Sequence, residues 1–175
     1  MEGKSSRQDS SSLRERILAA SGEKRAGLVL KGARVVNVFT GELEEADVAI
    51  EAGYIAGVGS YEGETEVDLS GKIICPGFID GHIHLESSMV RPAEFERAVL
   101  PHGTTAVITD PHEIANVYGR EGVVYMHDAA EGLPMRQLVD IPSCVPAVPG
   151  CENAGAAFMA EDIEALAELP RAVGL

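Results

Sequence analysis

The stretch Cys75-Pro76-Gly77-Phe78-Ile79-Asp80-Gly81-His82-Ile83-His84 decides how the rest of the chain is read. It continues an apolar run that begins at Ile73 and ends on two histidines one residue apart. In an extended strand alternate side chains share a face, so His82 and His84 present two imidazoles together. Imidazole is a common ligand of zinc, iron and manganese. At the C-terminal end of a barrel strand, such a pair sits where barrel enzymes carry their chemistry. For a bare H-x-H, two strand histidines satisfied by backbone carbonyls are an equally good reading. The hydrophobic strand entered through Pro-Gly tips the balance toward metal ligands.

Downstream, helices and apolar strands alternate. A helix is expected over Pro92–Leu100, with Phe95, Ala98 and Val99 on one side, and a buried strand over Thr104–Thr109. A loop over Asp110–Asn116 leads to a second helix at Gly119–Ala130. A strand at Gln137–Val145, interrupted by Pro142, precedes a helix at Ala160–Leu169 whose Ile163, Leu166 and Leu169 share a face. Glu161, Asp162, Glu164 and Glu168 form its solvated side, near the start, where negative charge suits the helix dipole. Continuous apolar strands alternating with helices predict parallel βα units. Three are expected, with a fourth strand opening at Arg171-Ala172-Val173-Gly174-Leu175. The chain stops inside that strand with no cap or polar tail and reads as incomplete.

Upstream the texture differs. Short β-prone runs at 28–30, 34–38, 47–50 and 54–58 are separated by turn signals at Lys31-Gly32, Thr40-Gly41, Ala52-Gly53 and Gly59-Ser60. They predict a small antiparallel β-module over residues 26–72, too slight to stand alone. Before it, residues 1–12 read as a Ser-rich disordered tail. Ser12-Leu13-Arg14-Glu15 fits a capping box that opens a short helix to Ala20. The expected organisation is therefore a tail and short helix over 1–25, the β-module over 26–72, and βα units over 73–175.

Composition narrows the function classes. In 175 residues, 28 acidic side chains face 14 basic ones, for a formal charge of -14. With no local cluster of Lys or Arg, nucleic-acid binding is excluded as an expectation, because such binding rests on basic contacts to phosphate. Cys75, Cys144 and Cys151 show no C-x-x-C spacing, so neither a disulfide framework nor a cysteine zinc site is expected. Met1–Ser12 lacks an apolar signal core, and no run of about 18 apolar residues occurs. A cytoplasmic protein with no membrane association is expected.

Pro76–His84 resembles the first-strand signature of the amidohydrolase superfamily. The β-module before it resembles part of that superfamily's composite β-sandwich. His84-Leu85-Glu86-Ser87-Ser88-Met89, His102-Gly103-Thr104-Thr105, Asp110-Pro111-His112-Glu113-Ile114-Ala115-Asn116 and Pro142–Ala147 are similar to the adenine deaminases within it. The resemblance runs from about Leu28 onward. It implies an α/β chain forming the first part of a (β/α)8 TIM-like barrel, preceded by part of a small sandwich. It also implies two divalent metals, manganese first and iron or zinc as alternatives, and hydrolysis of adenine to hypoxanthine and ammonia by an activated water attacking C6. The partners it implies are the small-molecule substrate and, at full length, further copies in a homo-oligomer.

By the same resemblance His82 and His84 are the family's first two metal ligands. The family's next ligand is a glutamate in a Gly-Leu-Gly-Glu stretch on the fourth strand, which Gly174-Leu175 would open. The later histidines and a proton-shuttling aspartate have no counterpart, so no catalytic residue is assigned within this chain and it is expected to be inactive alone. Asp110, His112 and Glu113 are expected to line the purine pocket or to buttress the ligands; the alternative is a loop in which Asp110 caps a turn and His112 is solvated. Glu86 either supports the ligands or caps the next helix. Glu152, in a Gly-rich loop, either bonds a purine nitrogen or is solvent-exposed. His102 reads as structural, His127 as a helix-face residue without a role, and the cysteines as non-ligands. Two other functions stand beside adenine deamination. One is another cyclic-amide hydrolysis such as that of dihydroorotase, disfavoured by Ser87-Ser88 and the Asp110–Asn116 stretch. The other is a non-catalytic remnant or binding subunit.

Overall fold

The computed structural model describes residues 6–175, which divide into two compact units between Pro76 and Gly77 in the sequence. The first contains α1 (Ser6–Ala20), β1 (Ala26–Val36), β2 (Leu43–Glu51), β3 (Tyr54–Gly59), β4 (Gly63–Asp68) and β5 (Ile73–Ile74). Its sheet runs β3-β2-β1-β4, with β5 also on β1. The β1/β2 and β2/β3 pairs are antiparallel, but β4 and β5 lie parallel to β1. The sheet is therefore mixed, not the antiparallel module that the short turns suggested. Lys31-Gly32 is no turn: it is a bulge inside one long strand, where the register slips between Leu30 and Ala33 and Gly32 takes φ +67°. α1 begins at Ser6, so residues 6–12 are helical rather than tail, and Ser12 lies within the helix instead of capping it. The rest of that tail, residues 1–5, lies outside the described residues.

The core of this unit is built of small side chains, with Ala19, Ala26, Val29 and Ala49 all buried. Polar ties supplement it. Asp47 accepts from the Lys31 ammonium at 2.6 Å and from the backbone amides of Gly32 and Tyr61 at 3.0 and 3.3 Å. Burial pushes the Asp47 carboxyl up, but Lys31 and those amides outweigh it and hold the group below the usual carboxylate range.

The second unit contains β6 (Phe78–Ile83), α2 (Pro92–Val99), β7 (Thr104–Thr109), α3 (His112–Ala129), β8 (Arg136–Asp140), α4 (Ala160–Ala167) and β9 (Ala172–Gly174). The sheet order is β6-β7-β8-β9 and every pair is parallel. Each strand pairs with the next one in sequence, which is the winding of a (β/α) barrel. Two apolar clusters hold helices to sheet: Leu85, Phe95, Val107, Met126 and Met135, and, separately, Ala115, Val123, Val139, Ile141, Val145 and Leu166. Buried polar groups lock α2 to β8: Glu96 accepts from the Met135 amide at 2.8 Å, and the Gln137 amide donates to the Pro92 carbonyl at 3.1 Å. Such pairing is what permits their burial.

The chain departs from expectation in three places here. Of the loop expected over Asp110–Asn116, residues 112–116 belong instead to a helical piece over 112–118, joined to the rest of α3 across Gly119 (φ 67°, ψ -149°), a backbone state that favours glycine. His127 is not a face residue but buried, only 5% exposed, with Nδ1 2.7 Å from Asp128 Oδ1 and its carbonyl accepting from the Arg171 guanidinium. The expected strand over 137–145 ends at Asp140, ahead of the buried Pro142.

Candidate metal centre

The ends of β6 and β7 build the site. The pairing of β6 with β7 slips between Asp80 and Ile83, and Asp80 accepts from the His82 amide at 3.1 Å. Beyond His84 the chain enters a 3-10 turn over Leu85–Ser88. Leu85, wholly buried beside Phe95, Val107, Met126 and Met135, pins that turn to the core. The Asp110 amide donates to the Ile83 carbonyl at 2.9 Å, so the residue that leaves β7 sits beside the residues that leave β6.

Three side chains converge there. His82 Nε2 and His84 Nε2 are 3.2 Å apart, and Asp110 Oδ2 lies 3.9 Å from His84 Nε2. The ligand atoms of all three fall within 4.8 Å of one another. Two nitrogens each about 2.1 Å from one ion would stand 3.2 Å apart at an angle of about 100° between the bonds, so the histidine pair has a ligand's bite. Asp110 Oδ1 is buried with no hydrogen-bond partner. A buried carboxylate oxygen left without a donor fits a site built for a cation. The donor set, two imidazoles and a carboxylate, suits first-row divalent ions.

Around these three stand the other carboxylates and imidazoles. His84 Nδ1 is 3.0 Å from Glu113 Oε2, while Ser87 Oγ donates to Glu113 Oε1 at 3.2 Å. Burial alone would raise the Glu113 carboxyl; its own backbone amide, His84 and Ser87 outweigh that and hold it low. Glu86 points the other way, its Oε1 accepting from the Ile114 amide at 3.2 Å. Burial raises the Glu86 carboxyl, its own amide and that of Ile114 offset this in part, and the nearby Glu113 charge adds to the rise. Glu86 therefore does not cap the next helix, α2, whose N-cap is Arg91; it bonds the first turn of α3, next to the histidine segment. His112 Nδ1 is 3.9 Å from Asp110 Oδ2 and 3.8 Å from Cys144 Sγ.

A cleft of about 620 Å³ opens on this group, lined by His84, Asp110, His112, Glu113, Asn116 and Val117. Asn116 and Val117 join it because residues 112–118 are helical, which the sequence alone did not signal. Glu152 is not among its lining residues; it lines a separate hollow in the loop after β8 and accepts from the Ala147 amide at 3.1 Å. His102 is exposed in the turn before β7. The three cysteines are free and exposed.

A profile of the Amidohydrolase family matches residues 73–173, the whole span from the strand before the histidines to β9. The chain belongs to the amidohydrolase family. Among its relatives, an adenine deaminase of Carboxydothermus hydrogenoformans is 52% identical over 163 residues, and one of Moorella thermoacetica is 52% identical over 167. Each match covers 93% of this chain but 28% of the relative, so the chain spans little more than a quarter of their length. Among solved structures, a zinc-complexed atrazine chlorohydrolase from Arthrobacter aurescens TC1 superposes with a TM-score of 0.55 at 20% identity, covering 85% of this chain and 40% of that one. An N-acyl-D-glutamate deacylase from Bordetella bronchiseptica gives 0.53 at 19% identity, covering 86% and 38%. These likenesses agree with the sequential parallel strands: the Gly77–Leu175 unit is part of an amidohydrolase barrel.

Proposed function

We propose that this chain is the metal-binding front of an adenine deaminase, a hydrolase converting adenine to hypoxanthine and ammonia. The observation that carries the reading is 52% identity to an adenine deaminase across 93% of the chain. In this reading His82 and His84 hold a divalent ion, manganese by preference and iron or zinc as alternatives. When bound, such an ion acidifies water enough to make a nucleophile near neutral pH.

The remaining roles belong to the chain's own residues. Glu113 keeps the His84 proton on Nδ1, so that Nε2 offers its lone pair toward His82. Ser87 holds Glu113 in place for that task. Glu86 ties the first turn of α3 to the ligand segment and so fixes the wall of the cleft. His112 and Asn116 offer hydrogen-bonding groups along that wall, suited to the edge of a flat purine. Glu152 is assigned to the rim, as a group that reaches substrate only if its loop turns inward. No proton-transfer step is assigned to a residue of this chain.

No helix among the described residues is long and apolar enough to cross a membrane. The cytoplasm is the proposed compartment, and a homo-oligomer the proposed state of the whole protein. The test is to assay the full coding region's product, loaded with Mn²⁺, for ammonia release from adenine. Turnover abolished by His82→Ala or His84→Ala supports the reading. Turnover of dihydroorotate in place of adenine would replace it.

A further inference from the structure

We propose that Asp110 is a third metal ligand, so that His82, His84 and Asp110 capture one divalent cation using residues of this chain alone. This deepens the metal-centre reading above and rests on it. The two histidines alone offer two donors, and neither the resemblance nor the relatives assign Asp110 to an ion.

Four observations carry the proposal. Asp110 is the first residue past β7, and its amide bond to Ile83 sets its side chain against the end of the histidine strand. Its Oδ2 lies 3.9 Å from His84 Nε2 and from His112 Nδ1. That is too long for a hydrogen bond, yet within the roughly 4.2 Å that two donors on one ion can span at bonds of about 2.1 Å. The side chain is 16% exposed and its Oδ1 is buried without a hydrogen-bond partner, so that oxygen has lost water and gained no donor. Finally, the neighbouring carboxylates are turned elsewhere. Both Glu113 oxygens are engaged, by His84 Nδ1 and Ser87 Oγ, and Glu86 bonds the Ile114 amide through Oε1 while its Oε2 is buried and unpartnered. Of the three, Asp110 is the carboxylate that groups with the Nε2 atoms of the histidine pair.

The fold does not need the Asp110 side chain. Its backbone amide donates to Ile83 and its carbonyl accepts from His112, with no side-chain atom involved. Asp110→Asn keeps shape and backbone bonds while removing the charge. The experiment uses Co²⁺ as the probe on the 175-residue chain, following visible absorption, calorimetric binding and melting temperature. We expect about one Co²⁺ per chain with a rise in melting temperature. In Asp110→Asn we expect binding weakened by about 100-fold or more, the top of the 10–100-fold range for groups that act only through a ligand. The variant without Co²⁺ should melt no lower than wild type, and the Co²⁺-induced rise should vanish.

Failure of the wild-type chain to bind Co²⁺ would overturn the proposal, as would unchanged affinity in Asp110→Asn. A metal-free variant that melts well below wild type would also overturn it, by giving Asp110 a structural role. None of these outcomes bears on whether the full-length product deaminates adenine, so the two readings fail separately.

Discussion

Removing the Glu113 side chain tests how the ligand pair is oriented. A neutral imidazole carries its proton on one nitrogen, and only the other can bind a metal. In the proposed arrangement the 3.0 Å contact between His84 Nδ1 and Glu113 Oε2 keeps the proton on Nδ1 and frees Nε2, which faces His82 at 3.2 Å. In Glu113→Ala that preference is lost and the ring also gains freedom to rotate. Groups that orient a ligand in this way are worth about 10–100-fold in metal affinity. Here the two side chains are 36% and 48% exposed, so water competes for the bond and the low end applies. We expect a loss of about tenfold, close to 1.4 kcal/mol. Glu113→Gln keeps an acceptor for Nδ1–H but gives up the charge assistance, and we expect a loss of about threefold. Calorimetric titration of the chain with Mn²⁺, checked by competition with a chelating dye, measures all three proteins. Equal affinity in Glu113→Ala and wild type would refute the reasoning, and so would a Gln variant as weak as the Ala variant.

Two further predictions concern stability. Leu85 is wholly buried between the ligand segment and the core formed by Phe95, Val107, Met126 and Met135. Leu85→Ala should cost about 3 kcal/mol in urea unfolding of the unit that holds it; a loss under about 1 kcal/mol would mean that the turn is not anchored there. For Asp47, whose carboxyl is held low in the folded state, stability is present above its unfolded pKa and lost as pH falls through the lower folded value. Asp47→Asn should therefore melt below wild type at pH 6–7, with the gap closing below about pH 4. Melting curves that stay parallel down to pH 2 would contradict the Lys31 pairing.

What could be read from residues, and what could not, divides along physical lines. The βα alternation was legible because buried parallel strands are continuous apolar runs, as in Thr104–Thr109, and because Pro92 and Pro170 punctuate the helices. The histidine pair was legible because period-two geometry is local. β4 was not: Gly63-Glu64-Thr65-Glu66-Val67-Asp68 is acidic and largely exposed, and it is a strand only because its backbone pairs with β1. The Lys31-Gly32 bulge looks like a turn because glycine at positive φ serves both, and only the partner strand decides between them. The Asp110–Asn116 stretch looked like loop because Asp110-Pro111 and Gly119 bracket a helical piece of seven residues, which carries too little periodicity to register. Asp110 was named among the site residues, but its place beside His82 and His84 depends on the β6/β7 register. That register is a tertiary fact.

The most direct test of the account is ammonia release from adenine by the Mn²⁺-loaded product of the full coding region, with hypoxanthine identified in the same reaction. We expect one hypoxanthine for each ammonia, and loss of both in His82→Ala and His84→Ala. A folded, metal-loaded protein that leaves adenine untouched would contradict it.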